Sequence, residues 1–113
     1  TLSTTELTDL LIELTQFRSN MMAFMADYDV LICPVNADIA PVHGTSRGQI
    51  KNFSYAYHFN LTGHPCAVVR AGTSDSGLPI GIQVVAKHWR EDIALAVAKV
   101  IEQELGGWQP PSW

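Results

Sequence analysis

Phe53-Ser54-Tyr55-Ala56-Tyr57-His58-Phe59-Asn60-Leu61-Thr62-Gly63-His64-Pro65, with Gly77-Leu78-Pro79-Ile80-Gly81-Ile82-Gln83-Val84-Val85 after it, is the stretch on which the fold turns. Phe53, Tyr57, Asn60 and Leu61 share one helical face, and Gly63 with Pro65 supplies the stop, since glycine can end a helix left-handed and proline prevents its continuation. Two apolar runs then follow. Cys66-Ala67-Val68-Val69 and Ile80-Gly81-Ile82-Gln83-Val84-Val85-Ala86 predict strands, joined through Gly72-Thr73-Ser74-Asp75-Ser76-Gly77. The simplest pairing is an antiparallel hairpin with a longer loop, with Pro79 at the strand entrance, where a missing donor costs least.

Toward the N-terminus, Ser3-Thr4-Thr5-Glu6 is a capping box that predicts a helix start. Leu7, Leu10, Leu11, Leu14, Phe17, Met21, Met22 and Met25 recur at three- and four-residue spacing, giving one broad apolar stripe to about Ala26. Val30-Leu31-Ile32-Cys33, stopped by Pro34, predicts a strand buried on both faces, as in the middle of a sheet. Residues 34 to 51 carry Pro34, Pro41, Gly44 and Gly48 and predict a loop long enough to be functional or to pack on something larger. Beyond the hairpin, a helix is expected from about Arg90 to Leu105, with Ile93, Val97, Val100 and Ile101 inward and Gly106-Gly107 as its stop. Trp108, Pro110, Pro111 and Trp113 predict an irregular tail folding back on the body. The order helix, strand, helix, strand, strand, helix gives an α/β fold: three strands of a mixed sheet covered by helices, in a single segment over 1–113.

Composition bounds the function. The 113 residues allow one domain, and 47% hydrophobic with 16% charged residues excludes a disordered tail. A net charge of -4 offers no basic field for nucleic acid or an anionic membrane surface. No apolar run reaches the roughly 18 residues that span a bilayer. Cys33 and Cys66, both in apolar runs, predict reduced, buried thiols and a cytoplasmic setting. The low charge leaves little polar covering, and the chain opens on a helix cap without an initiator Met. The expectation is a piece of a longer protein, against the alternative of a small apolar domain that dimerises.

Several motifs invite chemistry. Gly44-Thr45-Ser46-Arg47-Gly48 has the letters of a nucleophile elbow, and Asp75 and His88 follow in hydrolase order. The elbow needs a strand running directly into the Ser, whereas Ala40-Pro41-Val42-His43 precedes it. A Gly-rich loop is the expected reading. Neither Cys lies in the exposed, electropositive setting that activates a thiolate, and the four His share no metal-type spacing, so no metal or cofactor is expected. Asn60-Leu61-Thr62 fits a glycosylation acceptor but sits in an apolar helical stretch.

The stretch from Phe53 to Gln83, read with Ala71-Gly72 and the strand Asp29-Val30-Leu31-Ile32-Cys33-Pro34, resembles the C-terminal part of the amidase signature family. Asn-Leu-Thr-Gly-x-Pro and Gly-Leu-Pro-x-Gly-x-Gln occur in order, and the resemblance covers nearly the whole chain. Val84-Val85-Ala86-Lys87-His88-Trp89-Arg90-Glu91 is similar to the fatty-acid-amide-hydrolase-like branch. The resemblance implies a parent enzyme that hydrolyses a carboxamide through an acyl-Ser intermediate, using a Lys, a cis-Ser and a nucleophilic Ser in a Gly/Ser-rich segment. No such segment occurs here, and Lys51, Lys87 and Lys99 precede none, so no catalytic residue is expected in this chain. The segment would add strands and part of the pocket wall, with Asn36 after the strand end and Tyr57 and Asn60 on the following helix as substrate-binding candidates. A structural role for Asn60, capping a neighbouring loop, stays open. As partners, the resemblance implies a small-molecule amide and docking to an N-terminal half, or self-association. The alternative class is a stand-alone interaction module that self-associates through an apolar face.

Overall fold

The computed structural model describes residues 1–110. Helix α1 spans Thr4–Met25, strand β1 Val30–Pro34, α2 Ser54–Thr62, β2 Cys66–Thr73, β3 Pro79–Ala86 and α3 Glu91–Glu104. The capping box forms at the start of α1: the Ser3 amide donates to Glu6 Oε2 at 2.7 Å and the Glu6 amide to Ser3 Oγ at 3.3 Å. The Ser3 amide, and then the Ser3 hydroxyl donating to the same Oε2 at 2.8 Å, hold the Glu6 carboxyl below its ordinary pKa. No basic residue lies in the last turn of α1. Lys87 supplies the missing cation from the turn after β3, its Nζ donating to the Ala26 carbonyl at 2.9 Å.

The sheet runs β1-β3-β2, and both pairings are antiparallel. The three expected strands and the hairpin are therefore present, while the pairs among them include no parallel one. Val30 lies opposite Ala86 and Pro34 opposite Ile82, and on the other side Cys66 lies opposite Val85. A bulge between Arg70 and Gly72 shifts the register near the β2 end. Val84, Val85 and Ala86 are wholly buried, so the core sits at the C-terminal half of β3, with Met25 brought in at 1% exposure.

Several expectations are corrected here. β1 is an edge strand of this sheet, not a central one, and Ile32 is 50% exposed. A short apolar run does not encode its position in a sheet, and β3, bonded on both sides, takes the centre. Residues Ser46–Phe53 form a 3-10 segment kinked at Gln49 rather than plain loop. On α3, Val100 faces outward at 58% exposure; Ala94 and Ala98 are the buried residues, four apart, and their small side chains let the helix lie close on β2 and β3. α2 buries Phe59 and Thr62 and leaves Tyr57 and Leu61 exposed. The backbone at Gly107 is held by Arg70, but the Trp108 ring is exposed; Pro111 and Trp113 lie outside the described residues. The α1 stripe is uncovered only in its N-terminal half, where Leu7, Leu10 and Leu11 are exposed with Ile12 beside them; Leu14, Phe17 and Met21 are half-buried and Met25 is in the core.

Three elements meet at Thr62. Its hydroxyl donates to the His58 carbonyl at 2.9 Å, so His64 Nδ1, 2.8 Å from that oxygen, is the donor to it. His88 Nε2 donates to the Thr62 carbonyl at 2.8 Å, and the two imidazoles lie 4.3 Å apart. His64 is 7% exposed. This latch ties the end of α2 to the entrance of β2 and the turn before α3.

Candidate functional site

A cleft of about 640 Å³ opens where β1 ends. Its walls are the segment Pro34–Pro41, Phe53 before α2, Val68 on β2, and Pro79, Ile80 and Gly81 at the start of β3. The segment after Pro34 is held in place by the Ala37 amide, which donates to the Asn52 carbonyl at 2.9 Å. Gly81 lies in the floor between Val35 and Val68, where a Cβ would make ordinary contacts of 3.5 Å with Val35 Cγ2 and 3.6 Å with Val68 Cγ1.

Gln83 organises the surroundings. It is 3% exposed, and its Nε2 donates to the Pro34 carbonyl at 2.9 Å and the Tyr55 carbonyl at 3.2 Å. One buried amide thus clamps the end of β1 and the start of α2 to the central strand. Within the Gly-Leu-Pro-x-Gly-x-Gln motif this residue has no role that spacing alone reveals. The signal for it is a lone amide in an otherwise apolar run, which demands a buried partner.

Of the three candidates, Asn36 lines the cleft. Tyr57 and Asn60 are exposed on α2 and are not among its lining residues. Asn36 Nδ2 donates to the Asp38 carbonyl at 3.0 Å, whereas its Oδ1 is buried without a hydrogen-bond partner.

The elbow triad does not assemble. No strand leads into Ser46, which opens the 3-10 segment. Asp75 precedes β3 and His88 follows it, so roughly 25 Å of strand lies between them, and His88 Nε2 is already committed to Thr62. The thiols need a correction. Cys33 is half-buried, but Cys66, the first residue of β2, is exposed. Burial nevertheless pushes both thiols up, with Gln83 partly opposing this at Cys33 and Cys33 adding to it at Cys66. Both stay protonated near neutrality. Among the described residues no group of three or more His, Cys, Asp or Glu is placed to hold a metal, and no helix is long and apolar enough to cross a membrane.

An α/β layer with an apolar cleft at a strand end and a few polar groups in its wall is the place where an α/β protein can seat a small molecule. Residues 3–95 match the model of the Amidase family. The chain belongs to that family, the amidase signature family. It is 34% identical over 94 residues to human fatty-acid amide hydrolase 2, covering 83% of this chain and 18% of that protein. The acylamidase of Rhodococcus erythropolis is also 34% identical, over 100 residues, covering 76% of this chain and 21% of the relative. The structure of 6-aminohexanoate cyclic dimer hydrolase superposes with a TM-score of 0.83 at 25% identity, over 92% of this chain and 25% of that one. The chain therefore spans about a fifth of the length of these curated relatives.

Proposed function

We propose that residues 1–113 form the C-terminal scaffold and pocket-wall segment of an enzyme that hydrolyses a carboxamide C–N bond. In that enzyme an acyl-Ser intermediate would form on a Ser-cisSer-Lys set lying outside these residues. The observation that carries this reading is the cleft at the β1 end, with Asn36 in its wall, inside a segment that matches the family from residue 3 to residue 95. Tyr57 and Asn60, exposed on α2, would reach substrate only at a surface completed by further chain. A cytoplasmic location accompanies the reading, supported by the two free cysteines.

A second reading, a stand-alone module that self-associates, draws on the uncovered N-terminal half of the α1 stripe, Leu7, Leu10 and Leu11 with Ile12 beside them. The reading frame upstream of Thr1 separates the two. A Lys followed by a Gly/Ser-rich segment is expected there, and its absence would remove the amidase parent. Assayed alone, the chain is expected to turn over no simple amide or ester, and serine-dependent turnover lost in Ser46→Ala would revive the elbow.

A further inference from the structure

The end of α2 is held from outside the helix. No basic residue lies in its last turn, so its terminal carbonyls depend on donors brought by other elements. Arg18 on α1 donates from Nε to the Leu61 carbonyl at 2.8 Å, and His88, in the turn before α3, donates from Nε2 to the Thr62 carbonyl at 2.8 Å. The Gly63 amide closes the turn on the Phe59 carbonyl at 2.8 Å. Of the α2 side chains only Phe59 and Thr62 are buried, so little else secures this end.

The bonds at Thr62 fix the tautomers of both imidazoles. A carbonyl only accepts, so His88 carries its hydrogen on Nε2. The Thr62 hydroxyl is spent on the His58 carbonyl at 2.9 Å, so His64 carries its hydrogen on Nδ1. Each ring keeps one bare nitrogen, Nε2 on His64 and Nδ1 on His88, and neither has to break a bond to take a proton. Charge is what changes. One proton, on half-buried His88, suits the arrangement, because a cation is favoured at the C-terminal end of a helix. A second sets like charges on rings whose centroids are 4.3 Å apart, one of them on a residue only 7% exposed. The neighbours offer no relief. Arg18 is itself a cation, Lys87 is spent on the Ala26 carbonyl at 2.9 Å, and Arg90 is paired with Asp92 at 2.9 Å. His58 on α2 lies against Phe17, and Cys66 on β2 donates from Sγ to the His64 carbonyl at 3.5 Å. Among the described residues no carboxylate is hydrogen-bonded to either imidazole.

We propose that His64 and His88 form a proton-operated latch, closed with at most one proton between the two imidazoles and releasing the last turn of α2 when it takes the second. The start of α2 stays fixed, since Gln83 Nε2 holds the Tyr55 carbonyl at 3.2 Å and the Ala37 amide holds the Asn52 carbonyl at 2.9 Å. The helix therefore frays from Thr62 toward an anchored base. Burial, and then His88, lower the affinity of the closed His64 for a proton, which is the sign the latch requires.

The test is native-state hydrogen exchange of the 15N-labelled chain at pH 7.5 and 5.5 in sub-denaturing urea, comparing the amides of Gly63, Ala37 and Val85. Corrected for the intrinsic effect of pH, the opening that exposes Gly63 should become about tenfold more frequent at pH 5.5, the rise given by one imidazole that titrates near its ordinary 6.5 only when open. It should depend little on urea, as a local opening does, whereas the opening that exposes Val85 should be steep in urea. Ala37, at the anchored end, should be unmoved by pH. His88→Gln keeps a neutral donor for the Thr62 carbonyl and removes one charge, so it should reduce the rise at Gly63, and His64→Gln should abolish it. If His64→Gln does not fold, His88→Gln decides. No rise at Gly63, a rise unchanged in His88→Gln, an equal rise at Ala37, or a Gly63 opening as urea-sensitive as that of Val85 would each overturn the latch.

Discussion

Gln83 ties two distant segments of the chain to the central strand. Its single NH2 group satisfies carbonyls 49 and 28 positions away, at Pro34 and Tyr55. Gln83→Leu fills the same volume but leaves two carbonyls without donors, and a loss of about 2–3 kcal/mol is expected by denaturant titration; a loss under half that would mean that water replaces the amide. The cysteines give a second expectation. Both thiols are pushed up by burial, yet Cys66 is exposed and Cys33 half-buried. A thiol reagent at neutral pH should therefore label Cys66 before Cys33, and both more slowly than in the unfolded chain. Equal rates at the two would contradict the greater exposure of Cys66. The sequence showed that both cysteines sit in strands. It could not show that Cys66 is exposed, because that depends on what packs over the start of β2. In the same way, Asn36 was legible as a residue after a strand end, but its unpaired Oδ1 depends on where Asp38 and Asn52 fall in three dimensions.

Elements set by local chemistry were the legible ones. The capping box, the Gly63 stop (φ 74) and the β2–β3 hairpin are each written in a few neighbouring residues, and each forms as expected. What short-range patterns do not encode is which element lies next to which, and so the edge status of β1 and the alanine face of α3 were missed. The latch at Thr62 belongs to this second kind, since it joins α2, β2 and the turn before α3. Burial, and then the neighbouring His88, hold the His64 imidazole below its ordinary 6.5. The unfolded chain therefore takes up that proton more readily than the folded one. Stability should be complete above about pH 6.5 and fall as the pH drops from there toward the depressed folded value. Thermal melts at pH 7.5 and pH 5.5 are expected to show this loss, and His64→Gln should flatten it. A pH dependence unchanged by that substitution would place the proton elsewhere.

Across the whole molecule, the mismatch is between apolar surface and what covers it. Leu7, Leu10, Leu11 and Ile12 on α1, Ile32 on β1 and Val68 on β2 are all exposed. At roughly 25 cal/mol per Å², a few hundred Å² of such surface favours association by several kcal/mol before the entropy of association is counted. The isolated chain is expected to sediment as a dimer at micromolar concentration, and Leu10→Lys with Leu11→Lys should shift it toward monomer. A folded monomer at high micromolar concentration that binds no hydrophobic dye would refute that expectation. The strand order also carries a kinetic consequence. β2 and β3 are joined by a tight local turn, with the Gly77 amide on the Ser74 carbonyl at 2.9 Å, and can pair as soon as both exist. β1, made early, has β3 as its only strand partner among the described residues, and its Pro34 waits for a Gln83 that lies 49 residues downstream. On a ribosome that interval leaves Val30-Leu31-Ile32-Cys33 extended, unpaired and adhesive, so this segment is where a chaperone would be needed. Pulse-labelling hydrogen exchange during refolding should find the β2–β3 amides protected ahead of those of β1.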